Sequence, residues 1–182
     1  MKQIVTLLLT MTNTIFVKVL VMNKYSSSDL RRRMFSNKDY MTGATTLPGY
    51  QRCSPSAVNW GASLPDLYLM RAECKARTND LTGAKSDLET LRKTRMPLAD
   101  AIVPVTSKDA MIRFVLDERV REFAGTGMRW FDMRRLSTDP DYNNIDYTRP
   151  FGSETLTLQN KRLTMKIPAK ILLYNPNMVD ND

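Results

Sequence analysis

The stretch LPDLYLMRAECKARTNDLTGAKSDLETLR, residues 64–92, decides the fold class of this chain. Apolar side chains recur in it at helical spacing, in a first run of Leu64, Leu67, Tyr68, Ala72 and Ala76 and a second run of Leu81, Ala84, Leu88 and Leu91. Between the runs, Asn79 suits the left-handed conformation that closes a helix, and Asp80 suits the N-cap of the next one. Two helices joined by so few residues must fold back on each other, so the stretch predicts a tetratricopeptide-like helical hairpin.

Three small residues add detail to this picture. Gly83 weakens the second helix locally and predicts the close approach of a neighbouring helix. Cys74 lies within the apolar helical pattern, which predicts a buried thiol, whereas Cys53 lies in a polar Ser/Pro segment and is expected to be exposed. A disulfide between the two cysteines stays open as an alternative.

A third helix is expected after a Pro-containing connection. Thr106 and Asp109 have the spacing of a capping box. One helical face then carries Ile112, Val115, Leu116, Arg119, Val120 and Phe123. This helix is expected to end near Ala124, where Gly125 and Gly127 break the pattern.

The rest of the chain is irregular. Residues 23–62 are rich in Ser, Thr, Gly, Pro and Asn and predict loops with short strands. Leu156, Leu158 and residues 162–168 predict a short strand or hairpin, and residues 175–178 predict a turn. The predicted fold class is therefore mainly α, with a tetratricopeptide-like hairpin, further helices, irregular loops and short β elements.

Residues 1–22 form an apolar N-terminal segment that resembles a secretory signal, because Lys2 precedes an apolar run. Threonines dilute the run, Lys18 interrupts it, and no Ala-x-Ala cleavage site follows. We therefore expect a strand or helix of the folded protein rather than a signal, and no membrane-spanning helix. Residues 23–182 are expected to form one domain.

The sequence contains no histidine, which excludes Ser-His-Asp and Cys-His catalysis as well as mixed Cys/His zinc sites. Its two cysteines are too few for a structural zinc site, and it has no phosphate-loop or dinucleotide-binding motif. We therefore expect no catalytic residue, no metal and no cofactor.

The formal charge of +8 makes an anionic partner a possibility to consider. Arginines cluster closely at Arg31–Arg33 and at Arg134–Arg135. Asp29 precedes the first cluster, so a solvated face or pairing with Asp29 is favoured over an anion site. A nucleic-acid binder usually gathers its charge in one stripe, so no nucleic acid is expected as a partner, with binding through these two clusters as the rival hypothesis.

The stretch FAGTGMRWFDMRR, residues 123–135, combines two glycines, two adjacent aromatics and three arginines. It lacks the spacing and the lysine of a phosphate-binding loop, and a helix rather than a strand precedes it. Trp130 and Phe131 point about 100° apart on a helix, so at most one of them presents a platform on a given face. We interpret both aromatics as packing the joint between two helices, with Asp132 paired to an arginine three residues before or after it.

Four segments of the chain together resemble one protein family. They are SDLRRRMF (28–35), DLYLMRAECKARTNDLTGAKSDLETLRKTR (66–95), LDERVREFAGTGMRWFDMRR (116–135) and KIPAKILLYNPNM (166–178). In this order they are similar to the C-terminal part of the SusD/RagB family of outer-membrane nutrient-binding proteins. The residues of the structural signature are Arg119, Glu122, Arg129, Trp130, Phe131, Asp132 and Arg135.

The resemblance implies a mostly helical binding protein without catalytic activity. It also implies glycan or nutrient binding beside a TonB-dependent SusC-type transporter, at the surface of the outer membrane. The family's members carry a lipid anchor on a cysteine, and no cysteine lies near residues 1–22 of this sequence. Family members are considerably longer, so this chain corresponds to their C-terminal third, and a truncated remnant is an alternative. Thr126 and Met128 stand where the family usually has Glu and His.

Two aromatics in the loops before residue 64 are candidate ligand contacts. Tyr50 and Trp60 are the side chains best placed to stack on a sugar, although packing within the fold is favoured for each. The alternative function is a helical protein-interaction module without a sugar site, in which arginines and glutamates of the hairpin contact a partner.

Overall fold

The computed structural model describes residues 17–38, 49–53, 62–142, 147–151 and 153–181. In chain order its elements are α1 (Val19–Met22), a first 3₁₀ helix (Leu30–Met34), β1 (Phe35–Ser36), β2 (Gln51–Arg52), α2 (Leu64–Arg77), α3 (Leu81–Arg92), α4 (Lys108–Glu122), α5 (Met128–Leu136), β3 (Thr148–Phe151), β4 (Glu154–Thr157), a second 3₁₀ helix (Asn160–Leu163) and α6 (Ala169–Tyr174). Helices predominate and the strands are short, which confirms the predicted mainly-α class. The chain divides into two compact units, Met1–Thr126 and Gly127–Asp182.

The predicted helical hairpin is confirmed as α2 and α3, which pack on each other. Ser63 caps α2 by accepting a hydrogen bond from the backbone N–H of Asp66. Asn79 has a positive φ of 66° after the helix, as predicted. The Asp80 carboxylate accepts a hydrogen bond of 2.8 Å from the N–H of Gly83 and caps α3. Local signals in the sequence therefore fix both ends of this turn.

The buried face of α2 contains only part of the apolar run that predicts this helix. Leu69, Ala72 and Ala76 are fully buried. Leu64 and Leu67, which belong to the same run, are 66% and 48% exposed. The three buried residues follow the spacing of one helical face, and the two exposed leucines lie on the opposite side of the helix.

Both cysteines are free and exposed. The exposure of Cys53 confirms the prediction from the sequence. The prediction that Cys74 is a buried thiol is wrong, because Cys74 comes five residues after Leu69 and therefore lies on the outer side of α2.

Gly83 lies beside the cap of its own helix. A Cβ at this position would overlap the Asp80 carboxylate, and the three nearest atoms all belong to that side chain. The glycine therefore makes room for this cap.

The third predicted helix is α4, which packs against α2 and α3. Its N-cap is Ser107 rather than the predicted Thr106, because the Ser107 hydroxyl accepts the hydrogen bond from the N–H of Ala110. Its buried apolar side chains are Met111, Ile112, Val115 and Leu116. Gly125 and Gly127 follow with φ values of 75° and 86°, which confirms the predicted helix break.

A small hydrophobic cluster lies near the start of the described chain. It consists of Val17, Met22, Tyr25, Phe35 and Ala124. Residues 17–22 thus belong to the folded unit, through a β-bridge and α1, whereas residues 1–16 of the apolar segment lie outside the described residues. In the described ranges, no helix has both the length and the apolar character needed to cross a membrane.

In the unit Gly127–Asp182, β3 and β4 form an antiparallel hairpin, which confirms the hairpin predicted near Leu156. The prediction of a strand within residues 162–168 is wrong, because Leu163 is the last residue of the second 3₁₀ helix. The predicted turn at residues 175–178 is confirmed by a hydrogen bond of 2.9 Å from the N–H of Met178 to the carbonyl of Asn175.

Candidate functional site

A cluster of buried and nearly buried charges lies in the unit Met1–Thr126. This ion cluster consists of Asp29, Arg31, Arg92, Glu118, Arg121 and Glu122. Arg31 Nη2 lies 2.7 Å from Asp29 Oδ2 and 2.7 Å from Glu118 Oε1. Glu118 Oε2 lies 2.7 Å from Arg92 Nη1 and 2.6 Å from Arg121 Nη2. Each of these charges therefore faces an opposite charge within the protein.

Glu118 is fully buried, yet its arginine neighbours keep it ionised. Burial by itself would raise its pKa, but the charges of Arg121 and Arg31, a hydrogen bond from Arg121 and the charge of Arg92 lower the pKa to about 2. Burial opposes the charge of Arg31 as well, but its hydrogen bond to Asp29 and the charge of Glu118 raise the pKa of Arg31 overall. The cluster is internally neutralised, which suits a structural tether rather than a binding site.

The ion cluster changes the interpretation of Arg31–Arg33. Pairing of Arg31 with Asp29 is confirmed. The predicted solvated face is wrong for Arg31, which is 3% exposed because carboxylates of α4 neutralise it in the interior. Arg32 and Arg33 are exposed.

Two signature residues of α4 act as tethers. Arg119 Nη1 lies 2.7 Å from Asp66 Oδ1 and so ties α4 to the first turn of α2. The Arg119 guanidinium also lies over the ring of Phe123, at 5.4 Å from the ring centroid. Glu122 Oε1 accepts a hydrogen bond of 2.6 Å from Arg95 Nη2. These contacts hold helices and leave little of either side chain for a ligand.

The structure describes only one of the two aromatics proposed from the sequence. Tyr50 is half-buried, packs against the small hydrophobic cluster and bridges Val17 through backbone hydrogen bonds of 2.8 and 3.0 Å. Trp60 lies outside the described residues. A role for either ring in ligand stacking stays a prediction.

An open groove of about 610 Å³ lies in the unit Gly127–Asp182. One wall is formed by Phe131, Arg134, Arg135 and Thr138, from α5 and the turn that follows it. The remaining lining consists of Ser137 and of Asn160, Leu163 and Thr164, the last three from the second 3₁₀ helix and its C-terminal end. The volume is in the range of small-molecule sites, and the walls combine an aromatic ring, guanidinium groups, hydroxyls and an amide.

Helical spacing puts the groove side chains on one face of α5. Phe131, Arg134 and Arg135 are related by steps of three or four residues, so they project in similar directions. Asp132 and Leu136 lie on another side of the helix and are 3% and 1% exposed. The helix is therefore anchored on that side and leaves its groove face to solvent.

The two arginines of the groove differ in their partners. Arg135 Nε donates a hydrogen bond of 3.0 Å to Asp132 Oδ1, which confirms the predicted pairing of Asp132 three residues away. Arg134 is exposed and has no ion-pair partner among the described residues. Among the described residues, the side chains that line the groove include no carboxylate. The charge of Arg134 is therefore not compensated within the groove.

The interpretation of Phe131 as a packing residue is wrong, because its side chain is 62% exposed. Its neighbour Trp130 is half-buried. Adjacent helical residues diverge by about 100°, so the side of α5 that buries Asp132 and Leu136 leaves Phe131 outside. The i, i+4 pair of Asp132 and Leu136 was the sequence signal for this arrangement. No local pattern could have added Asn160, which reaches the groove from a separate element.

The groove offers the chemistry of reversible binding. A ring surface, one uncompensated guanidinium and several hydrogen-bonding groups can hold a polar, ring-containing ligand. Within the part of the chain that the structure describes, no three His, Cys, Asp or Glu side chains are grouped to hold a metal ion.

The chain is similar to known proteins over part of its length. Residues 62–179 match the model of the SusD family. The crystal structure of a SusD-like protein from Bacteroides fragilis NCTC 9343 is 20% identical, with a TM-score of 0.46 over 64% of this chain and 24% of that one. For a SusD-like carbohydrate-binding protein from Bacteroides vulgatus ATCC 8482, the identity is 20% and the TM-score 0.48, over 79% of this chain and 32% of that one. The chain thus spans about a quarter to a third of these proteins. No curated protein matches it.

Proposed function

The chain belongs to the SusD family, and from that premise we propose that it is a non-catalytic carbohydrate-binding protein of a nutrient-uptake system. We further propose that it acts at the surface of the outer membrane, beside a TonB-dependent SusC-type transporter. The support for the transporter and for the location is the match of residues 62–179 to the SusD family.

The observation that carries the proposal is the exposed ring of Phe131 in the groove. The C–H face of a sugar packs favourably on the face of an aromatic ring. The hydroxyls of that sugar need donors and acceptors around the ring, and Thr138, Asn160 and Thr164 supply them. The described residues of the lining include no pair of carboxylates of the kind that acts as acid and nucleophile in glycoside cleavage.

Phe131 therefore ranks ahead of the two aromatics proposed from the sequence. Tyr50 packs on the hydrophobic cluster, which favours a structural role for its ring. Trp60 stays a proposed second contact. The structure gives less support to nucleic-acid binding than the sequence does, because Arg31 of the run Arg31–Arg33 is held inside the ion cluster.

A protein-interaction role is the second candidate function. On the outer side of α2, the exposed fractions of Leu64, Leu67 and Met70 are 66%, 48% and 43%. Three neighbouring apolar side chains on one helix can contact an apolar surface of a partner. This role requires no sugar, so it predicts that the chain migrates normally through gels that contain polysaccharide.

Affinity electrophoresis against a panel of neutral and acidic polysaccharides tests the proposal. We expect at least one polysaccharide to retard the chain, and we expect Phe131→Ala to abolish most of the retardation. Tyr174→Ala is the matched control, because Tyr174 is 72% exposed in the same unit and does not line the groove. Equal loss in both variants, or no retardation by any polysaccharide, would contradict a sugar site at Phe131.

A further inference from the structure

We propose that the groove selects sugars that carry an anionic group, a carboxylate or a sulfate, and that Arg134 is the residue that binds this group. The inference rests on the proposed carbohydrate-binding function and names the ligand class for the same groove. It follows from the position of Arg134 beside Phe131, the charge balance of the lining and the arrangement of the hydrogen-bonding side chains.

Arg134 and Phe131 are one helical step of three residues apart on α5, and both are exposed. Side chains at this spacing are neighbours on the helix surface. A sugar ring that stacks on Phe131 therefore brings a substituent at the edge of that ring within reach of the long Arg134 side chain. The planar guanidinium can hold a carboxylate or a sulfate through two parallel hydrogen bonds.

The charge balance of the groove favours an anion over a neutral sugar. Arg135 is compensated by the buried carboxylate of Asp132, at 3.0 Å. Arg134 has no such partner in the described ranges, and the described residues of the lining include no acidic side chain. The helix dipole does not replace an anion there, because Arg134 lies in the last turn of α5, where cations are stabilised but not neutralised. A bound anionic sugar would supply the missing charge.

The remaining lining fits the hydroxyl groups of such a sugar. Asn160 and Thr164 line the groove from the second 3₁₀ helix and the residue after it, and they offer an amide and a hydroxyl. Thr138 adds a second hydroxyl on the side of Arg134. One guanidinium beside one ring suits a single charged sugar. The backbone of a nucleic acid would instead need a stripe of cations to neutralise successive phosphates.

A matched pair of polysaccharides tests the inference in affinity electrophoresis with the full chain. Polygalacturonate carries a carboxylate on each sugar, and highly methyl-esterified pectin has a closely similar backbone with most carboxylates neutralised. We expect polygalacturonate to retard the chain and the ester to do so at least about tenfold less at equal concentration. Dextran sulfate against dextran forms the second pair and distinguishes a sulfate preference from a carboxylate preference.

Two variants separate the groove from general charge attraction. Arg134→Gln should lose the preference for the acidic polysaccharide. Arg162→Gln removes the same charge but should keep the preference for the acidic polysaccharide. Arg162 is exposed in the same unit and does not line the groove. Circular dichroism and thermal melting of both variants should match those of the unsubstituted chain, since both side chains are exposed.

Several outcomes would overturn the inference. Equal loss in both arginine variants would show attraction to the net positive charge only. A second contrary result is equal retardation by polygalacturonate and by the ester, with the retardation unchanged in Arg134→Gln but lost in Phe131→Ala. This result would reject a preference for anionic sugars and leave the proposed carbohydrate-binding function in place. If no polysaccharide of either kind retarded the chain, the proposed function itself would fail. Retardation by single-stranded DNA that Arg134→Gln abolishes would assign the groove to nucleic acid instead.

Discussion

Arg31 and Glu118 form an ion pair of 2.7 Å, and both side chains are buried. Removal of Arg31 leaves the buried carboxylate of Asp29 without its arginine, whereas Glu118 keeps Arg92 and Arg121. An uncompensated buried charge typically destabilises a protein by about 3–5 kcal/mol. We expect Arg31→Met to reduce the free energy of unfolding by this amount, as measured by urea denaturation. A loss below about 1 kcal/mol would contradict the structural role of the ion cluster.

The control for this substitution is Lys24→Met. Lys24 also pairs with a carboxylate of α4, at 2.7 Å from Asp117, but the two side chains are 38% and 48% exposed. Exposed pairs contribute about 0–1 kcal/mol because water and salt screen them. The two substitutions remove the same charge, so the difference between them measures the effect of burial.

The second prediction concerns the dependence of stability on pH. The pKa of Glu118 is lowered in the folded state to about 2, from an ordinary value of 4.5. A lowered folded pKa stabilises the protein above the unfolded value, and this contribution of about 3 kcal/mol is lost as the pH falls from 4.5 towards 2. Unfolding free energies measured across this window should fall steeply for the unsubstituted chain and less steeply for Glu118→Gln.

Asp87 contributes to the same pH window and must be separated from Glu118. Burial opposes its charge, but hydrogen bonds from Arg71 and Lys75 lower its pKa overall. Asp87→Asn should therefore reduce the acid dependence independently of Glu118→Gln. If the two substitutions together left the slope unchanged, the acid sensitivity would have another origin.

The third prediction concerns the cap of α3. Gly→Ala in the interior of a helix usually stabilises by up to about 1 kcal/mol. Gly83→Ala should instead destabilise this chain, because the added Cβ overlaps the Asp80 carboxylate. In an Asp80→Ala background the overlap disappears, so Gly83→Ala should stabilise there. Thermal melting of the four combinations gives the coupling between the two positions, and additive effects would reject the overlap.

The fourth prediction separates the two sides of α5. Phe131→Ala should change stability by less than about 0.5 kcal/mol, because the ring is 62% exposed. Leu136→Ala should cost about 2–5 kcal/mol, because this side chain is 1% exposed and leaves a cavity. Urea denaturation of the two variants checks the assignment, and a large loss in Phe131→Ala would restore the interpretation of that ring as packing.

The helical hairpin could be predicted because its signals are local. Asn79 and Asp80 act within a few residues of their own positions, through backbone conformation and a single capping hydrogen bond. The inward side of α2 was harder to predict, since Leu64 and Leu67 repeat at helical spacing as regularly as the buried residues do. Only the packing of α3 and α4 against Leu69 and its neighbours decides between the two sides.

The candidate site could be predicted only in part. The pairing of Asp132 with an arginine was visible as a three-residue spacing, and it is present as predicted. The groove itself depends on Asn160 and Thr164, which approach α5 from a separate element. The buried position of Arg31 escaped prediction for the same reason, because Glu122 is 91 residues away in the chain. Contacts between distant segments leave no local period in the sequence.

The ion cluster joins residues on both sides of the point where the family match begins. The family match begins at residue 62, but Glu118 and Glu122 take part of their compensating charge from Arg31. A fragment cut to residues 62–179 would keep both carboxylates and lose that guanidinium, together with the apolar contacts of Tyr25 and Phe35. The family match therefore covers less of the chain than the folded unit does, because residues 17–38 supply both an ion pair and apolar contacts to it.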